Sequence, residues 1–240
     1  MEIENKRVLV SGAGRGLGRA LVTVLAETGV NEIIAGTRNP EAREELQALS
    51  PRVTAVQLDV TNDADVAAVA DMGPIDLLIN NAGFAGFGNP LTMSFADIER
   101  ENAVNYLGVL RLTRAIVPGM IAQSDGMIVN IATAFAKVNL PLVGTYCATK
   151  SALLSLGQAL RAHLAESGVR VITVMPTTID TDMSSGADVP KMTKEFVAAE
   201  ILAAISAEAH DPPIGDEAKR ILDEFSKDPE GLEKILMKYK

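Results

Sequence analysis

Arg7-Val8-Leu9-Val10-Ser11-Gly12-Ala13-Gly14-Arg15-Gly16-Leu17-Gly18 is the stretch that decides the fold. Its opening is β-rich and runs directly into glycines at alternate positions. Leu17, Leu21, Val24 and Leu25 then recur at helical spacing, and the helix closes at Thr28-Gly29. A strand, a glycine turn and a helix N-terminus together make an anion site from backbone N–H groups and the helix dipole. Glycine is required where a Cβ would hold the backbone away from a pyrophosphate. The spacing is not G-x-G-x-x-G, because Leu17 stands where the third glycine would be. Nor is it a P-loop, which would end in Gly-Lys-Ser/Thr. What remains is Gly12-x3-Gly16-x-Gly18, with a ligand-free glycine turn as its bland alternative.

The same alternation continues downstream. Residues 32–36, 53–58, 75–79, 127–131 and 170–175 read as further short strands. Residues 40–49, 62–72 (capped by Thr61 or Asn62), 94–123, 146–165 and 193–207 read as helices, followed by short helices near 216–225 and 229–239. Residues 184–191 read as a flexible loop. Helices between short apolar strands imply right-handed crossovers and a parallel sheet covered on both faces. In such sheets ligands lie beyond the carboxyl ends of the strands. Those ends carry the glycine loop, Gly36-Thr37-Arg38, Asp59-Val60 and Asn80-Asn81-Ala82-Gly83, which favours one crevice over several unrelated loops.

The end of the second strand selects the dinucleotide. A site for NAD places Asp or Glu there for the ribose hydroxyls. This chain has Gly36-Thr37-Arg38, so no carboxylate repels a 2′-phosphate, and Arg38 can pair with one while Arg15 approaches from the first loop. NADP(H) is the expected cofactor.

Composition bounds the remaining possibilities. The chain has 240 residues, 48% of them hydrophobic, enough for one large core, and a formal charge of −9 that offers no basic field to nucleic acid. Its single cysteine, Cys147, permits no intrachain disulfide and fits a reducing compartment. The polar N-terminal residues lack the apolar core of a signal peptide, and no apolar run is long enough for a bilayer. A cytoplasmic protein without membrane or nucleic-acid partners is expected. His163 and His210 lack metal-ligand spacing, so no metal is expected.

Tyr146-Cys147-Ala148-Thr149-Lys150 supplies the chemistry. Four residues apart on a helix, the phenol and the ammonium share a face. A lysine there favours the phenolate, and a phenol of lowered pKa is a general acid/base for a carbonyl and its alcohol. Lowering it from ~10 to neutrality needs ~4 kcal/mol, more than one exposed lysine can supply. A partly buried Lys150 beside the positive oxidised nicotinamide can.

The ordered set resembles the short-chain dehydrogenase/reductase family over residues 7 to about 183. It comprises Ser11 to Gly18 for the family's Thr-Gly-x3-Gly-x-Gly, Asp59-Val60, Asn80-Asn81-Ala82-Gly83, Asn105, Tyr146 with Lys150, and Pro176 with Thr181. The resemblance implies an α/β fold: one doubly wound parallel sheet (Rossmann fold) of six to seven strands with helices on both faces. That domain would span 1–240, with 184–240 as substrate-side loop and C-terminal helices, and assemble as a homodimer or homotetramer. Ser11 replaces threonine and Thr177 replaces a glycine. Thr133 stands at the family's catalytic serine position, thirteen residues before Tyr146, and keeps the hydroxyl. The family's C-terminal strand ending is absent; residues 211–215 offer at most a short seventh strand.

By resemblance, Thr133 orients the substrate oxygen, Tyr146 exchanges the proton, and Asn105 holds a water linking Lys150 to solvent. Gly12, Gly14, Arg15, Gly16, Leu17, Gly18, Thr37, Arg38, Asp59, Val60, Asn81, Ala82, Gly83, Tyr146, Lys150, Pro176, Ile179 and Thr181 would hold the cofactor. Phe84, Phe135, Leu140, Leu142 and Met183, with Phe87, are candidates for the wall of a substrate pocket. The implied activity is NADPH-dependent reduction of a ketone or aldehyde, or the reverse oxidation. The alternatives are a non-catalytic NADPH-binding sensor or scaffold, and a nucleotide-sugar epimerase, whose G-x-x-G-x-x-G spacing fails at Arg15.

Overall fold

The structure, a computed structural model, describes residues 1–186 and 188–239. Its strands are β1 (Arg7–Ser11), β2 (Glu32–Thr37), β3 (Val53–Gln57), β4 (Leu77–Asn80), β5 (Gly126–Ile131), β6 (Val169–Pro176) and β7 (Pro213–Ile214). They form one parallel sheet in the order β3-β2-β1-β4-β5-β6-β7. The helices are α1 (Gly16–Ala26), α2 (Pro40–Gln47), α3 (Asp63–Ala70), α4 (Phe95–Asn102), α5 (Val109–Gln123), α6 (Gly144–Leu164), α7 (Lys194–Ser206), α8 (Asp216–Lys227) and α9 (Pro229–Leu236).

Alternation within β1 explains the layers. Val8 and Val10 face α1 and α7 in a core containing Leu21, Leu25, Val197 and Ile201. Leu9 between them faces the opposite core, where Val66 and Val69 of α3 meet Leu112, Ile116 and Met120 of α5. With both faces covered, β1, β4 and β5 read as continuous apolar runs rather than alternating ones. This is the doubly wound architecture expected from the sequence, and the seventh strand is as short as expected. Helix starts follow local capping: Asn62, not Thr61, caps α3 by accepting from the Ala64 and Asp65 N–H groups.

The helical stretch expected over 94–123 is present from Phe95 to Gln123, but it is not α-helical throughout. Between α4 and α5, residues Ala103–Gly108 form a π-helical turn containing Asn105. A tight fit accompanies this turn, since a Cβ on Gly108 would lie 2.6 Å from Val60 Cγ2. Ala187, inside the loop expected at 184–191, lies outside the described residues, as does Lys240. Among the described residues, no helix is long and apolar enough to cross a membrane, and no cluster of His, Cys, Asp or Glu could hold a metal ion.

Candidate active site

The strand order reverses between β1 and β4, and the crevice beyond their carboxyl ends is where this topology places ligands. Ser11 ties the two edges of that crevice together. Its hydroxyl accepts from the N–H groups of Asn81 and Ala82, both at 3.1 Å. The Asn81 amide donates back to the carbonyls of Ser11 at 3.0 Å and Gly12 at 3.1 Å. Any hydroxyl would serve here, which accounts for serine in place of the family's threonine.

The glycine loop is a cradle that side chains would fill. Gly12 has φ +66°, and a Cβ there would lie 2.8 Å from the Ala82 Cα. A Cβ on Gly18 would overlap the Gly12 carbonyl oxygen. The loop therefore presents bare backbone at the α1 N-terminus, where no side chain caps the helix. This chemistry fits the pyrophosphate of a dinucleotide. At the end of β2, Arg38 pairs loosely with Asp59 at 3.6 Å and is 58% exposed. Burial raises the Asp59 carboxyl, but bonds from the Thr61 hydroxyl and N–H, with Arg38 alongside, more than offset this and hold it below its ordinary value. Arg15 reaches across the crevice to Asp182 at 2.9 Å, and both side chains are largely exposed.

Tyr146 and Lys150 both stand in α6, at its first turns. Lys150 is 3% exposed, and its ammonium donates to the Ile131 carbonyl at 2.7 Å. Burial pulls its pKa from 10.5 down to about 8. Its Nζ lies 5.6 Å from the centre of the Tyr146 ring. In the chain alone, burial first, then the Cys147 thiol and the Glu101 carboxyl, push the Tyr146 phenol above its ordinary 10. Desolvation disfavours the charged phenolate and so keeps the phenol protonated. The buried Cys147 thiol is likewise pushed up to about 11, mainly by burial.

Thr133 follows β5 and lies on the cavity wall. Its hydroxyl donates to the Pro176 carbonyl at 3.0 Å and accepts from the Phe135 N–H at 3.3 Å. Asn105 is fully buried and does not line the cavity. Its Oδ1 accepts from the Phe84 N–H at 2.9 Å, and its amide donates to the Phe84 carbonyl at 2.8 Å and to Thr149 Oγ1 at 2.9 Å. The amide donors are thus committed to protein. Asn105 Oδ1 and Lys150 Nζ nevertheless border one space, at 3.5 and 3.8 Å from where a Cβ on Gly83 would sit.

A cavity of about 590 Å³ brings these parts together. Every residue expected to hold the cofactor lines it, together with Thr133, Phe135, Leu140, Leu142 and Met183. Phe84 is the exception. Its side chain packs against the α3–α5 core with the Arg100 guanidinium 4.1 Å above the ring, while Phe87 takes the place on the wall. Sequence reasoning missed Val143, Val189 and Tyr239 on the lining, and the buried Glu101 behind it. Tyr239 arrives only because α8 and α9 fold back over Phe135 and Leu140, a long-range packing with no local signal.

The family model described as short chain dehydrogenase matches residues 6–190. D-erythrulose reductase of Gallus gallus is 36% identical over 185 residues, covering 76% of this chain and 75% of the relative. Sorbitol dehydrogenase of Cereibacter sphaeroides is 32% identical over 194 residues, covering 78% and 76%. A short chain dehydrogenase from Burkholderia cenocepacia J2315, solved in complex with NADP, superposes with a TM-score of 0.92 at 36% identity, over 98% of this chain and 99% of that one. A short chain dehydrogenase/reductase from Burkholderia phymatum, solved in complex with NAD, superposes with a TM-score of 0.87 at 25% identity, over 96% of each chain.

Proposed function

Because the chain belongs to the short-chain dehydrogenase/reductase family of oxidoreductases, we propose that it is an NADPH-dependent carbonyl reductase, or in reverse an alcohol dehydrogenase, with Tyr146 as its general acid/base. The observation that carries this reading is the shared cavity: Thr133, Tyr146 and Lys150 line the same space as the glycine cradle and Arg38. When bound, the nicotinamide supplies the hydride carrier and, in its oxidised form, a positive charge beside the phenol.

The chain's own groups do the rest. With the phenol pushed up, Tyr146 is protonated at neutral pH, the form that delivers a proton to a carbonyl being reduced. Thr133 turns its hydroxyl from the Pro176 carbonyl to the substrate oxygen. The buried ammonium of Lys150 faces the ring and resupplies the proton. The space over Gly83 between Lys150 and Asn105 Oδ1 is the place for the water expected from the sequence. Preference for NADP(H) is supported by the absent carboxylate at the end of β2 and by Arg38 and Arg15. Both sit in exposed pairs that a phosphate dianion outcompetes. The NADP-bound relative favours the same cofactor, although another relative was solved with NAD.

NADPH and NADH consumption over a panel of ketones and aldehydes, with alcohols in reverse, tests the reading. Tyr146→Phe is expected to bind NADPH as the parent does and to lose turnover. Near-normal turnover in that variant would refute the mechanism, and cofactor binding without turnover in the parent would instead identify a sensor.

A further inference from the structure

Glu101 is a carboxylic side chain with 0% exposure, one helical turn before Asn105. A residue of this type is almost never fully buried without a specific partner. Its Oε1 accepts from the Gly86 N–H at 2.7 Å, while Oε2 is buried with no hydrogen-bond partner. Glu101 and Asn105 thus anchor one short segment from the same helical run: Asn105 holds Phe84 by both backbone groups and Glu101 holds Gly86. A third anchor follows, as the Gly88 N–H donates to the Leu142 carbonyl at 3.0 Å. Residues 84, 86 and 88 are tied to the protein, and the residues between them, Ala85 and Phe87, line the cavity.

Met93 packs directly beneath the segment. A Cβ on Gly86 would overlap Met93 Cε, and Met93 Sδ accepts from the Thr145 hydroxyl at 3.3 Å, next to Tyr146. Phe87 is 47% exposed, so its position on the wall depends on the backbone beneath it and not on enclosure.

We propose that Glu101 is a positioning residue that shapes the substrate pocket: its hold on Gly86 sets Ala85 and Phe87 as the wall for the apolar part of a carbonyl substrate. The wall continues through Leu142, whose backbone is the third anchor and whose side chain also lines the cavity. The substrate class is therefore a carbonyl compound carrying an apolar, aromatic-sized group beside its reacting carbon. This rests on the reductase reading above.

The test compares E101Q, which keeps the acceptor, with E101L, which removes it. The probes are 1-phenylpropane-1,2-dione and butane-2,3-dione, which share a reacting group and differ by a phenyl ring. Hydrogen exchange at the Gly86 amide is measured alongside. E101L is expected to speed that exchange by about tenfold and to raise the KM ratio of the phenyl dione over the small dione by about tenfold, with E101Q holding both near the parent values. Unchanged exchange in E101L, or equal KM increases for both diones, would overturn the proposal. If E101L does not fold, Phe87→Ala, at an exposed position, must raise the same KM ratio, and failure to do so overturns it as well. If the parent reduces neither dione, the reductase reading fails for this substrate class, while the exchange measurement still decides whether Glu101 holds the loop.

Discussion

Lys150→Met should make the protein more stable at neutral pH and less stable at high pH. In the folded chain Lys150 is buried and its pKa falls from 10.5 to about 8 because burial disfavours the charge. Each pH unit of that difference corresponds to about 1.4 kcal/mol, so holding the ammonium at pH 7 costs the folded state about 3 kcal/mol. A folded pKa below the unfolded one means that the unfolded chain binds more protons between the two values. Stability therefore rises as pH climbs from 8 to 10.5, is complete above 10.5, and is lost as pH falls through 8. Methionine removes the penalty but also the hydrogen bond to the Ile131 carbonyl, worth about 1–2 kcal/mol once the carbonyl is left unpaired. The variant should gain about 1–2 kcal/mol at pH 7, or roughly 3–6 °C in Tm for a chain of this size. Near pH 10.5 the penalty is gone and only the lost bond remains, so the sign reverses. Thermal melts of both proteins by circular dichroism, in matched buffers from pH 7 to 10.5, read this directly. A Tm difference that is flat with pH, or a variant already less stable at pH 7, would refute the account of Lys150 as a buried charge held at a cost in stability.

Three further outcomes are expected from the same structure. Thr133→Ser should keep turnover, whereas Thr133→Val should lose about 10²-fold or more in kcat, the usual loss for one donor to a developing oxyanion; equal activities would dismiss the hydroxyl. Arg38→Ala should weaken NADPH by about tenfold and leave NADH nearly unchanged in direct titrations, because only the 2′-phosphate distinguishes them; parallel losses would place the phosphate elsewhere. Gly18→Ala should abolish measurable cofactor binding and lower stability by about 1–3 kcal/mol, because the added Cβ overlaps the Gly12 carbonyl; normal binding would show that the loop relaxes freely.

The parts of the site legible in the sequence are those whose backbone makes them. The glycine cradle, the reversed switch point and the strand ends declare themselves through short apolar runs and glycines, because a doubly covered parallel sheet leaves little else for such residues to do. Side-chain direction beyond the strand ends is a different matter. Phe84 and Phe87 stand in the same polar-apolar stretch, and only the anchoring of alternate backbone groups turns one into the core and the other to the cavity. The upward push on the Tyr146 phenol in the chain alone was also hidden, since the spacing to Lys150 is local whereas desolvation and the Glu101 carboxyl come from the whole enclosure. Thr133 was legible by its place thirteen residues before Tyr146, but not its donation to the Pro176 carbonyl across the β6 end.

The π-helical turn within this helix explains why one sequence stretch serves two purposes. In an uninterrupted α-helix, residues 101, 105, 112 and 116 fall close to one face, because seven residues complete nearly two turns. All would then compete for the sheet, where Leu112, Ile116 and Met120 are packed. The π-helical turn at Ala103–Gly108 inserts about one extra residue and rotates the downstream helix by about 100°. Glu101, just upstream, and Asn105, within the turn, are released toward the 84–88 segment and Thr149 of α6; downstream, the apolar stripe of α5 seats on the core. Polar side chains would otherwise be driven against an apolar sheet without partners, at a cost of several kcal/mol for a carboxylate. The turn thereby couples a structural necessity to a functional one: the same local rearrangement that spares the core from Glu101 and Asn105 places both against the loop that walls the cavity.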